Sequence, residues 1–138
     1  MKPLNEKLVM TQEDKQLLLK DLCARLPYGV RYRHLAWDDE HGEDYIAAKI
    51  YSINSDGYVK NSYDDETVYI DDVRPYLFPL SSMTEEQKRE YQYITERWMY
   101  DPSYSISDST DWLNKNHFDY RGLIEKGLAI DATGLNIY

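Results

Sequence analysis

The hydrophobic period of this chain changes at Pro27-Tyr28-Gly29, and that change dictates a helix followed by a sheet. Before it, Leu18, Leu19, Leu22, Cys23 and Leu26 recur at helical spacing, with Lys15, Lys20 and Asp21 off the stripe. Thr11 offers an N-cap, and Glu13 and Asp14 place negative charge in the first turn, where the helix dipole favours it. The spacing predicts a helix over 11–26, stopped by Pro27 and Gly29, after a loosely ordered lead over 1–10. Beyond the break, Val30, Tyr32, His34 and Ala36 alternate with Arg31, Arg33, Leu35 and Trp37. That is the period of a strand with one polar face.

The run Tyr45 to Ile53 predicts a second strand, and Asn54-Ser55-Asp56-Gly57 a hairpin turn. Tyr58 to Asn61 then returns antiparallel, and Thr67 to Ile70 adds a further strand. Residues 74–79, bracketed by Pro75 and Pro79, are expected to leave the sheet. Ser82 and Glu85 have capping-box spacing before a helix whose inner stripe is Met83, Gln87, Tyr91, Ile94 and Trp98. A third helix starts near Ser109 with Trp112 and Leu113, and Asp119 caps a short fourth that ends at Gly127. The architecture expected is α+β in one domain, 1–138. It comprises an N-terminal helix, a small antiparallel sheet or partial barrel of three to four strands over 30–70, and two to three helices over 82–127. Leu22, Cys23, Leu26, Tyr91, Ile94, Trp98, Trp112, Leu113 and Leu123 should form its core.

Charge is concentrated where the sheet is expected. Between Asp38 and Asp72 stand eleven acids and two lysines, so this segment carries the whole of the chain's net charge of −9. Such a surface repels nucleic acid and attracts basic partners. The aromatic set is skewed the same way, with 14 Tyr and 3 Trp against 2 Phe, and Tyr suits half-buried faces and contact surfaces. The reading favoured is a non-enzymatic interaction module that binds an unidentified protein with a basic surface. Its candidate contacts are Asp38, Asp39, Glu40, Glu43, Asp44, Tyr45, Tyr58, Tyr63, Asp64, Asp65 and Glu66. One alternative is an acidic mimic of nucleic acid acting on a host defence or regulatory protein, which needs acids in rows at phosphate-like spacing. The other is an enzyme, which needs a cleft of convergent polar groups.

Motifs with chemistry are sparse. A single cysteine allows no intrachain disulfide. Cys23 lies on the leucine stripe, so a buried structural thiol is expected over a nucleophile paired with His34, His41 or His117. A zinc site from His41 with Asp38, Glu43 or Asp44 lacks the fixed spacing of zinc motifs. Residues 54–57 brush against a calcium loop, but Ser52 and Tyr63 then stand where carboxylates are required. No phosphate-binding or dinucleotide glycine pattern and no nucleophile elbow occurs. Arg31, Tyr32 and Arg33, with Arg25 near them, read as a solvated strand face rather than a phosphate site. No catalytic residue, cofactor, metal or membrane span is therefore expected, and the setting expected is cytoplasmic.

Three blocks carry a resemblance: LCARLPYGV (22–30), VRPYLFPLSSMTEEQ (73–87) and DWLNKNHFDYRGLIEKGLAI (111–130). They resemble signature blocks of a family of short proteins, without an assigned activity, from Bacteroides-type bacteria, their prophages and their phages. They cover the helical parts and leave the acidic segment Tyr32 to Tyr69 unmatched. The resemblance implies a bacterial or phage cytoplasmic setting and brings no functional residue with it.

Overall fold

The computed structural model describes residues 10–105 and 107–138. The expected loose lead lies outside them except for Met10, which is buried. Helix α1 (Gln12–Arg25) opens on Thr11, whose side chain accepts from the Asp14 amide at 3.1 Å. It closes through a short turn in which Gly29, at φ +73°, donates its amide to Leu26. Glycine takes that left-handed conformation without steric cost.

Four antiparallel strands follow in sequence order: β1 (Arg31–Asp38), β2 (Gly42–Ile53), β3 (Tyr58–Asn61) and β4 (Thr67–Tyr69). The register shifts between Ile50 and Ser52 on β2, which adds local twist, and the sheet curls into a half-barrel. Its concave side buries Tyr32, Ala36, Ala48, Ile50 and Val59, with Leu18 and Leu22 of α1 in the same core. The β2–β3 turn needs Gly57: its φ is +89°, and a Cβ there would meet Ile70 Cγ2 at 3.3 Å.

Residues 74–79 do not simply leave the first sheet: Pro75 bridges Tyr32 of β1 and the Arg74 carbonyl accepts from the Arg33 amide at 3.1 Å, and the two prolines then bracket a strand of a second sheet. β5 (Tyr76–Pro79) is the middle of a parallel trio between β6 (Phe118–Asp119) and β7 (Ile130–Asp131). Pro75 sits just outside the strand, where its missing N–H costs nothing and its carbonyl accepts from the Ile130 amide at 2.8 Å. Sequence reasoning missed this sheet because two of its strands are two residues long.

Helices α2 (Glu85–Arg97) and α3 (Ser107–Lys115) complete the α+β fold. The capping box uses Thr84 and Gln87 rather than Ser82 and Glu85. Residues 80–82 already form a tight turn, in which the Ser82 hydroxyl donates to the Pro79 carbonyl. The expected fourth helix is instead a turn over 123–127, where Asp119 accepts from the Leu123 and Ile124 amides at 3.0 and 2.9 Å. Trp112, Leu113 and Phe118 form a second buried cluster, against which Tyr91 and Ile94 of α2 are half-buried. No helix of the described residues is long and apolar enough to cross a membrane.

Two core expectations fail, one at a helix end and one through a rotated helix face. Trp98 is 44% exposed because α2 ends at Arg97 and the tryptophan falls at its C-cap. Cys23 is exposed because α1 buries Leu18, Asp21, Leu22 and Arg25. That stripe is rotated from the leucine–cysteine one and contains a buried ion pair, leaving Leu26 half-buried. Arg25 is thus a core residue and no part of a basic surface patch. An exposed thiol should be labelled by a maleimide in the folded protein as fast as after denaturation, and Cys23→Ala should change stability by less than about 0.5 kcal/mol. Slow labelling that accelerates on unfolding would contradict this placement.

Candidate functional site

An antiparallel meander alternates its connections between two ends. The β1–β2 hairpin tip and the β3–β4 loop therefore share one end of the half-barrel, while the 54–57 turn lies at the other. Asp38, Asp39, Glu40, Glu43 and Asp44 stand at the tip, and Asp64, Asp65 and Glu66 in the loop. His34 ties the loop acids to β1, the strand that leads to the tip. It projects to the concave side of β1 and is only 3% exposed, yet its Nε2 reaches Asp64 Oδ2 at 2.9 Å and Glu66 Oε2 at 3.5 Å.

The hydrogen-bond directions around it follow from the donors available. Asn61 Oδ1 accepts from the Tyr63 and Asp64 amides, which fixes the amide so that Nδ2 faces inward. Nδ2 donates to the Tyr32 hydroxyl oxygen at 2.9 Å and to Asp64 Oδ1 at 3.2 Å. The tyrosine's own hydrogen then goes to His34 Nδ1, 3.1 Å away, so a neutral imidazole carries its proton on Nε2 and gives it to Asp64. Partial burial opposes ionisation of Asp64, but hydrogen bonds from His34, the Glu66 amide and Asn61 outweigh it and hold the carboxyl below its usual range. The loop is thereby clamped to β1 as a carboxylate. At the hairpin tip, His41 and the Glu40 amide likewise hold the Asp38 carboxyl low.

Around these acids the convex side of β1 and β2 exposes large rings. The register opposes Leu35 to Tyr45 and Trp37 to Glu43, and Trp37 is 67%, Tyr45 56% and Tyr51 71% exposed. Trp37 Nε1 donates to Asp39 at 3.1 Å, and the Arg33 guanidinium lies over the Tyr45 ring. Tyr63 is exposed in the loop itself. An open depression of about 580 Å³ runs beside it, lined by Tyr51, Lys60, Asn61, Ser62, Tyr63, Asp64 and Asp65. Tyr58 belongs elsewhere: it stands at the opposite end of β3, packed on Tyr69 at 5.2 Å between centroids.

Nothing in the chain's local spacing announces His34, Asp64 and Glu66 as a group, since thirty residues of sheet separate them. Their oxygen and nitrogen ligand atoms all lie within 4.8 Å of one another, and the described residues hold no other such group of three. The imagined His41 set is therefore not assembled, although His41 does meet Asp38 at 3.0 Å. None of the imidazoles is poised for a thiol: His34 is engaged by Tyr32 and Asp64, His41 by Asp38, and His117 stacks on Tyr138. Comparison of the chain with protein-family models, curated proteins and solved structures finds no match.

Proposed function

We propose that this protein is a non-enzymatic interaction module, in a bacterial or phage cytoplasmic setting, whose acidic end binds a protein with a basic surface. The observation that carries the reading is the union of charge and exposed aromatic area at one end of a clamped sheet. Exposed Trp and Tyr rings supply contact area at low entropic cost. The surrounding carboxylates steer a cationic partner inward and raise its on-rate. From His34 to the hairpin tip is four residues of strand, about 13 Å, which exceeds the Debye length of about 8 Å, so the two acid groups act on a partner as two neighbouring patches. The acids fall in two loops around rings, which suits a protein surface better than an unbroken row imitating phosphates. The depression beside them is open, unlike the enclosing pockets that bury small ligands.

The test uses charges outside the His34 network. Protein carrying Glu40→Gln, Glu43→Gln and Asp65→Asn, and separately Trp37→Ala, is compared with wild type in capture from a Bacteroides-type lysate at low and high salt. A basic protein retained by wild type, released by salt and lost from both variants supports the reading. Retention of the same proteins by all three, at either salt, removes it. Capture of a nucleic-acid-binding protein that DNA then displaces would favour mimicry instead.

A further inference from the structure

We infer that His34, Asp64 and Glu66 form a binding site for a first-row divalent cation of the zinc type, a property separate from partner binding. A four-coordinate zinc with ligands at about 2.1 Å places neighbouring ligand atoms roughly 3.4 Å apart. His34 Nε2 is already 3.5 Å from Glu66 Oε2, and 2.9 Å from Asp64 Oδ2. A shift of about half an ångström by Asp64 opens the latter edge to zinc geometry. The two carboxylates offset the charge of a divalent ion, and three protein ligands leave at least one position for water or a fourth group.

The supporting shell is in place. Asp64 Oδ1 is held by Asn61 Nδ2 and the Glu66 amide, which leaves Oδ2 as the ligating oxygen. His34 is fixed by burial on β1 and by the Tyr32 hydroxyl at its other nitrogen. Such partners commonly orient metal-bound imidazole and carboxylate groups. Exchange of the Nε2 proton for a cation moves the ring proton to Nδ1, where the Tyr32 oxygen accepts it. The hydroxyl then gives up the hydrogen bond it donates in the cation-free protein. An imidazole in the set selects zinc, cobalt or nickel over calcium and magnesium, which take oxygen ligands.

The test is titration of chelator-treated protein with zinc chloride by calorimetry, with cobalt chloride as an optical probe and calcium chloride as a control. One saturating equivalent is expected, with calcium giving none. Glu66→Gln, whose side chain is largely exposed and should not disturb folding, and His34→Gln should each weaken zinc at least tenfold, while His41→Ala leaves it unchanged. Nitrogen-15 spectra of the imidazoles should show the His34 proton transfer from Nε2 to Nδ1 when zinc is added. Absence of binding at millimolar zinc overturns the site, as does wild-type affinity in the Glu66 and His34 variants or an unchanged His34 tautomer. All of these readouts use the isolated protein, so they stand or fall apart from the partner.

Discussion

Replacing Asp21 with Asn should lower the unfolding free energy by about 3–5 kcal/mol, because it leaves a buried cation without its anion. Asp21 and Arg25 are both fully buried and meet twice, at 2.8 and 3.2 Å. Arg25 also donates to the Phe118 carbonyl at 2.6 Å, so the pair ties α1 to β6. Arg121 approaches the same Asp21 carboxylate at 3.2 Å from the partly exposed side. Without the aspartate charge, Arg121 can turn to water and Arg25 cannot. Its Nη1 already lacks a partner among the described residues. Urea unfolding should show the loss as a lower midpoint at unchanged slope. The double change Asp21→Leu with Arg25→Met should recover most of it, since a packed apolar pair replaces both charges. A loss under about 1 kcal/mol in the single variant would mean that Arg25 reaches solvent.

Stability should also fall by about 3 kcal/mol as pH drops from neutrality to 4, through His117 alone. Burial, and then the positive charges of Arg25 and Arg31, push the His117 imidazole down to about 4 from its ordinary 6.5. The sign follows: between those values the unfolded chain binds a proton that the folded one refuses. The contribution is complete above pH 6.5 and is lost progressively down to 4. The lowered carboxyls, Asp38, Asp64, Asp101 and Asp131, titrate below the ordinary 3.8 and so act in a more acidic window. His117 occupies a left-handed position, φ +63°, and stacks on Tyr138, whose hydroxyl donates to the Tyr76 carbonyl. Asn accepts that backbone conformation better than most residues. His117→Asn should therefore fold with a lower but flatter stability between pH 6.5 and 4. An undiminished slope in that window would place the titrating group elsewhere.

The order of elements from α1 to β4 was legible because each buries one regular face: leucines at helical spacing, then alternation along β1, then an Asn-to-Gly turn. Reading failed where burial did not follow hydrophobicity. The inner stripe of α1 holds Asp21 and Arg25, so a purely apolar period pointed to Cys23 instead. The parallel sheet was invisible because its pairing joins distant residues, Phe78 with Phe118 and Tyr76 with Ile130, through strands too short to show a period. At the site, the acids and tyrosines were legible as composition, and their sharing of one end follows from the meander. His34 was legible only as a strand residue and as one of three imidazoles weighed against Cys23. What gives it a role is the β3–β4 loop folding over β1, a long-range contact that no local spacing encodes.

The central functional claim is that one end of the half-barrel is the binding face. An amide NMR titration with a lysine-rich amphipathic peptide tests it most directly. The expected result is shifts confined to 33–45 and 60–66, reversed by salt and absent from the Glu40→Gln, Glu43→Gln, Asp65→Asn protein. Shifts spread evenly over the surface, or strongest at the 54–57 turn and along α2, would contradict it.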